Sequence, residues 1–117
     1  MTATEPSIFS RIIAREIPAD IVAETDHLIA FRDIAPQAPV HILVVPKTEE
    51  YVTVAELAAA DPELLAELVL FAQNIANEFA DGSYRLVFNS GANAGQTVFH
   101  VHAHVLSGKL EEGRLGA

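Results

Sequence analysis

Apolar positions recur at helical spacing over Ile8, Phe9, Ile12 and Ile13, behind a serine at Ser7 that can cap a helix start. This pattern predicts a short helix over Ile8–Arg15, ended before Pro18. The periodicity then changes to short runs at Ile21–Thr25 and Leu28–Arg32, read as two strands joined by a turn at Asp26-His27. Pro36 and Pro39 keep residues 35–39 irregular, because each withholds an N–H and turns its predecessor away from helix. His41-Ile-Leu-Val-Val45 follows as a buried strand closed by Pro46. Thr53 with Glu56 forms a capping-box pattern for a helix to about Ala59, and Asp61-Pro62 places a cap and a first-turn proline before the longest helix, to about Ala80.

Along that helix Leu64, Leu68, Phe71, Ile75 and Phe79 form one stripe, and Leu65, Val69, Ala72 and Ala76 an adjacent one. Together they are broader than one sheet face requires, which leaves two readings open: a surface for self-association, or a wholly intramolecular core helix. Asp81-Gly82 breaks the helix. Tyr84–Asn89 and Val98–Leu106 then read as strands, separated by the small-residue loop Ser90-Gly-Ala-Asn-Ala-Gly95. The fold class is α+β: an antiparallel sheet with a short N-terminal helix and one long central helix, in a single domain over residues 1–117. Residues 1–6 and about 107–117 are expected to be loosely held tails.

Composition narrows the function. A chain of 117 residues is one domain's length, and an apolar fraction of 50% with 20% charged residues excludes intrinsic disorder. The net charge of −9 gives no broad basic field, so nucleic acid is not expected as a partner, although a small phosphate ester held in a local pocket is compatible with it. Zero cysteines remove disulfides, thiolate metal sites and cysteine nucleophiles together. No apolar run approaches the ~18 residues of a membrane span, and the first ten residues lack a secretory pattern. A cytoplasmic protein with no membrane partner is expected.

The chemistry concentrates at His100, His102 and His104, which a strand's period of two places on one face, with Cα atoms ~6.8 Å apart per step. Phe99, Val101, Ala103 and Val105 take the other face. Three polar rings in a row do not suit a plain core, since each buried imidazole needs a hydrogen-bond partner. Zinc is one occupant, because neutral imidazoles are zinc ligands. Against it, no Asp or Glu lies between Asp81 and Lys109 to orient the rings. The favoured reading is nucleophilic and acid/base work on a phosphate, with no metal and no cofactor required. The preceding loop supports it: Gly95 (like Gly91) lets backbone amides approach an oxyanion, and Asn89, Gln96 and Thr97 add neutral donors.

His100-Val-His-Ala-His-Val-Leu106 resembles the histidine-triad (HIT) signature, in which three histidines alternate with apolar residues. Further blocks, Ile8-Phe9 through Ile17-Pro18, Ala30-Phe31 through His41, Val45-Pro46-Lys47 and Gly95-Gln96 with Val98-Phe99, are similar to the Hint branch, the histidine-triad nucleotide-binding proteins. The resemblance implies a homodimeric hydrolase that cleaves P–N or related acyl or phosphate bonds of purine nucleoside 5′-monophosphate derivatives. It implies attack by His102, phosphate contact and leaving-group protonation by His104, and organisation by His100 and His41. It also implies ribose binding by Asp33, phosphate binding by Asn89, Gly95, Gln96 and Thr97, and a base slot of Ile8, Phe9, Ile12, Ile17, Phe31, Ile34 and Leu43. An apolar slot of this kind is expected to favour purines, AMP or GMP derivatives, for their stacking area.

Plain core packing competes for the apolar positions, turn capping for Asp33, and a solvated charge for Lys47; His27 has no companion. The chain also departs from the Hint pattern: Thr97 replaces a serine, Arg32 a histidine, Thr48-Glu49 follow Lys47, and the tail after Gly108 is not aromatic. A dinucleoside polyphosphate hydrolase, and a nucleotide-binding interaction module with incidental catalysis, are the alternative functions.

Overall fold

The computed structural model describes residues 7–113. Ser7 accepts from the Ser10 N–H and opens α1 (Ile8–Ile13), which stops short of Arg15 because Ala14 caps it and Arg15 turns to a φ of 64°. Strands β1 (Ile21–Glu24) and β2 (Leu28–Arg32) form the expected hairpin, with a bulge between Ile21 and Ala23. After the proline-containing turn comes β3 (Val40–Pro46), then α2 (Val54–Ala60), α3 (Pro62–Phe79), β4 (Arg85–Val87) and β5 (Ala103–Ser107). The capping box of Thr53 and Glu56 is formed, and Asp61 accepts from the Leu64 N–H at the start of α3.

The five strands make one antiparallel sheet in the order β1-β2-β3-β5-β4. Both of its faces are covered, and that explains the unbroken apolar run of β3. Ile42 and Val44 join Leu28, Ala30, Ala103 and Val105 beneath Leu57, Leu64, Leu68, Ala72 and Ile75 of α2 and α3. The alternate residues Leu43 and Val45 join Ile29 and Phe31 under Phe9 and Ile12 of α1. Fully burying one side chain of leucine size stabilises by about 1.5–3 kcal/mol, so the α3 layer carries most of the fold and α1 a smaller second layer. Pairing of Leu43 with His104 places the last triad histidine on the α1 side.

Two strands are shorter than the sequence pattern predicts. Instead of spanning Tyr84–Asn89, β4 keeps only Arg85–Val87; instead of beginning at Val98, β5 begins at Ala103 and runs on to Ser107. The β3–β5 ladder ends at Val44–Ala103, and beyond it the Val101 N–H donates to the Tyr51 carbonyl. Pro46 has no N–H with which to extend the ladder, and its carbonyl accepts from a histidine ring instead. His100 and His102 therefore sit on an extended lead-in to the strand. Phe99 does not join the Val101 face; it is 53% exposed.

The tail expected to loosen at about Ser107 is fixed further along. Ser107 is buried in β5 and donates to the Ser83 carbonyl, and the Glu111 carbonyl accepts from Arg85 at 2.8 Å. The expectations for residues 1–6 and 114–117 lie outside the described residues. On α3 the two stripes largely merge into the core, with Phe71, Phe79 and Leu65 packed at its margin; Val69 and, outside either stripe, Leu70 remain exposed.

Candidate active site

Four imidazoles are gathered on the α1 side of the sheet; backbone partners fix the protons of three of them, and the ring of His41 fixes that of His104. The His100 carbonyl accepts from His102 Nδ1 at 2.8 Å. A carbonyl cannot donate, so Nδ1 of neutral His102 carries the proton and Nε2 keeps its lone pair. The Pro46 carbonyl lies 2.8 Å from His100 Nε2, which fixes the proton there and leaves Nδ1 as an acceptor.

The second pair is fixed from the opposite end. The Gln37 N–H donates to His41 Nδ1 at 3.0 Å, so the proton of neutral His41 is on Nε2, from which it reaches His104 Nδ1 at 2.9 Å. His104 is thereby left with its own proton on Nε2, and that buried atom has no hydrogen-bond partner among the described residues. An unsatisfied buried donor costs about 1–3 kcal/mol, and here it lies beside His102, whose ring centroid is 5.2 Å from that of His104. His102 thus keeps a free lone pair and His104 an N–H without a partner among the described residues, on neighbouring rings.

Burial holds all four rings neutral. It lowers the pKa of His102, with the neighbouring His100 ring adding to the fall and the His100 carbonyl and Asp33 opposing it. It brings His104 from 6.5 to about 4, helped by the rings of His102 and His41 and opposed by Asp33. His41 and His100 are lowered by burial as well. Neutral rings are also what the proton assignment requires.

Asp33 divides its carboxylate. Oδ1 accepts from the Ala35 N–H at 2.7 Å, capping the turn, while Oδ2 stands 3.5 Å from His41 Nε2. The absence of acidic residues near the triad in sequence does not hold in space, since Asp33 arrives from the end of β2. Asp33, His41 and His104 each offer a metal-ligating atom, all within 4.8 Å of one another. Two of these residues, His41 and His104, already share a hydrogen bond between their rings.

The loop before the triad differs from expectation in its donors. The Gly91 N–H donates to Gln96 Oε1, the Gly95 N–H to the Ala92 carbonyl, and the Gln96 N–H to the Gly91 carbonyl. Gln96 Nε2 is occupied by the carbonyls of Val52 and Val98. Gln96 is thus a buried strut, and neither its side chain nor the Gly91 and Gly95 amides are free to meet an oxyanion. Gly95 serves the loop differently, closing a 3-10 turn over Ala92–Ala94 with a φ of 92° that other residues rarely adopt. Asn89 is half-buried and Thr97 exposed, and neither side chain has a partner among the described residues.

Of the apolar positions, Phe9, Ile12, Phe31 and Leu43 share one buried cluster, with Ile17 packed against it. The Phe9 ring meets His102 edge-on at 4.8 Å between centroids. Ile8 and Ile34 do not join; Ile8 is 50% exposed on α1, and Ile34 is 98% exposed where the Asp33 turn sends it outward. Lys47 is ion-paired to Glu24 at 2.7 Å, and His27 faces Glu67 at the surface. A separate cavity of about 500 Å³, lined by Asp26, Glu50, Asp61, Glu63 and Glu67 among others, has the wrong charge for a phosphate. Sequence reasoning missed Ser7 at the triad. Its hydroxyl lies 2.9 Å from His100 Nδ1, whereas the sequence marks it only as a helix cap.

A four-histidine cluster stands on one face of an antiparallel sheet in an α+β fold, and known proteins share both sequence and fold with this chain. The chain belongs to the HIT domain family, which matches residues 14–111. It is 50% identical over 109 residues to a HIT-like protein of Synechocystis, covering 90% of this chain and 92% of that one. It is 44% identical over 107 residues to the purine nucleoside phosphoramidase of Escherichia coli K12, covering 90% and 89% of the two chains. A HIT family hydrolase from Clostridium thermocellum superposes with a TM-score of 0.85 at 36% identity over 100% of both chains. Hydrolases are therefore among its homologues, and they share its fold.

Proposed function

We propose that this protein hydrolyses the P–N bond of purine nucleoside 5′-phosphoramidates, and related acyl or phosphoryl derivatives, through a nucleotidyl-histidine intermediate. The observation that carries the reading is the pairing of a lone pair on His102 Nε2 with an unpartnered N–H on His104 Nε2. In the first step the His102 Nε2 lone pair forms a bond to phosphorus. The P–N electron pair leaves with the nitrogen, which takes the His104 Nε2 proton; the negative charge this leaves on His104 is balanced by the positive charge that the new bond to phosphorus places on the His102 ring. In the second step water attacks the same phosphorus, the Nε2–P electron pair returns to His102, and the proton lost by water restores His104. A neutral His102 suits the first step, because a protonated ring has no lone pair.

Asp33 Oδ2 is the acceptor for ribose hydroxyls in this reading, Asn89 and Thr97 are the phosphate donors, and the Phe9 cluster is the apolar wall beside the base. Ile8 and Ile34 can contribute only through their exposed side chains. The identity to a purine nucleoside phosphoramidase over most of both chains favours this substrate class over dinucleoside polyphosphates.

The test is AMP release from adenosine 5′-phosphoramidate, with EDTA present, by the wild type beside His102→Ala and His102→Gly. Turnover by the wild type alone is the expected result. A wild type that binds AMP yet releases none from the phosphoramidate would overturn the reading in favour of a binding module or a polyphosphate hydrolase. Loss of wild-type turnover on chelation would instead assign the cluster to a metal.

A further inference from the structure

We infer that Ser7 is a positioning residue for the reacting imidazoles, acting through His100; the inference rests on the hydrolase reading of the same site. The segment that carries His100 and His102 lies outside the β-ladder, which begins at Ala103. Sheet hydrogen bonds therefore do not place it. One backbone bond, Val101 N–H to the Tyr51 carbonyl, holds its middle, and the His100 ring holds its start.

That ring is clamped at both nitrogens. Nε2–H donates to Pro46, so Nδ1 is a lone pair in a ring only 2% exposed, and it requires a donor. Ser7 Oγ at 2.9 Å is placed to supply it, whereas Ser10 Oγ is at 3.5 Å. With its proton directed to His100, Ser7 Oγ accepts the Ser10 N–H at 3.0 Å and the Ser10 hydroxyl at 3.2 Å. Every hydrogen-bonding position of the serine then has a partner.

Two consequences reach the nucleophile. The His100 carbonyl, fixed with its residue, holds the proton of His102 on Nδ1 and so keeps the lone pair on Nε2. The same serine seats α1, a helix of six residues too short to be stable alone, whose Phe9 ring packs edge-on against His102. Ser7 thus joins the helix beside the base slot to the ring that orders the triad.

The experiment compares Ser7→Ala, Ser7→Thr and Ser7→Asp by steady-state hydrolysis of adenosine 5′-phosphoramidate and by imidazole ¹⁵N NMR of the free protein. Thr keeps both cap and donor; Asp keeps the cap, but its carboxylate only accepts. Ser7→Ala and Ser7→Asp should lower kcat about 10- to 100-fold with KM within about threefold, an effect of the size seen for partners that orient a reacting group through another residue, while Ser7→Thr stays within a few-fold of wild type. In the wild type His100 Nδ1 should resonate as an unprotonated, hydrogen-bonded nitrogen and His102 as the Nδ1–H tautomer. Both signals should move in Ser7→Ala and hold in Ser7→Thr.

A Ser7→Asp enzyme with wild-type kcat would reduce Ser7 to a helix cap and overturn the inference. So would a wild-type His100 protonated at Nδ1, or His102 signals indifferent to Ser7→Ala. If the wild type hydrolyses no phosphoramidate, the hydrolase reading fails by itself, and the NMR signals still decide the role of Ser7.

Discussion

In the proposed reaction His102 and His104 differ in role because their surroundings differ. The carbonyl beside His102 makes it a base at Nε2, whereas the His41 N–H makes His104 a donor at Nε2. His104→Ala should lower kcat by about 10²–10⁴-fold while AMP still binds, the range for loss of a positioned acid. Single-turnover kinetics beside AMP calorimetry reads both. Since burial lowers the His102 pKa below the ordinary 6.5, the acid limb of kcat/KM should have its midpoint below that value; a midpoint above it contradicts a buried neutral nucleophile. The stability consequence has a definite sign. His104 titrates near 4 when folded and near 6.5 when unfolded, so the unfolded chain binds the extra proton between these values. This contribution is complete above pH 6.5 and is lost as pH falls towards 4. Urea midpoints at pH 7 and pH 4.5 should diverge less for His104→Gln than for the wild type.

The triad itself was legible in the sequence because three histidines at a period of two have no core explanation. Its partners were less so. His41 stood at the head of an apolar strand, and only the β3–β5 pairing brings its ring against His104. Ser7 carried a strong local meaning as a cap, and that local meaning concealed a contact 93 positions away. Gln96 and the loop glycines had the right residue types for a phosphate cradle, but the loop satisfies its own donors first.

At the scale of elements, helix starts were readable because capping chemistry is local: Ser7, Thr53 and Asp61 each accept the N–H that their position predicts. Strand ends were not, because a ladder's extent depends on its neighbour. Val98–Val101 alternate no less well than Ala103–Leu106, yet the β3–β5 ladder stops at Val44–Ala103, two residues before β3 ends at Pro46, and the β4–β5 ladder stops at Val87–His104. The other end of β5 is set by Gly108. It has a φ of 112°, and a Cβ there would lie 2.7 Å from Pro39 Cγ, just before β3. Gly108→Ala should therefore cost about 1–3 kcal/mol, from the strained φ together with the clash. Its urea midpoint should fall with the m-value unchanged; an unshifted midpoint would mean that Pro39 moves aside freely.

Among the described residues, α3 leaves apolar surface exposed. Leu70 on α3 is 67% exposed and Val69 38% exposed, and β4, three residues long, forms one edge of the sheet. An apolar helix patch favours association, and two identical copies can bury it through a two-fold interface. Each copy also brings a net charge of −9, which opposes the approach and is screened by salt. Sedimentation at micromolar concentration should consequently give the mass of two chains, with the dimer tightening as salt rises from about 0.01 M, where the screening length is about 30 Å, to about 0.1 M, where it is about 10 Å. Leu70→Asp should yield a monomer with unchanged far-UV circular dichroism, because Leu70 contributes little to the chain's own core. A wild type that sediments as one chain at every salt concentration would assign the breadth of the α3 stripe wholly to the intramolecular core, into which Phe71, Phe79 and Leu65 already pack.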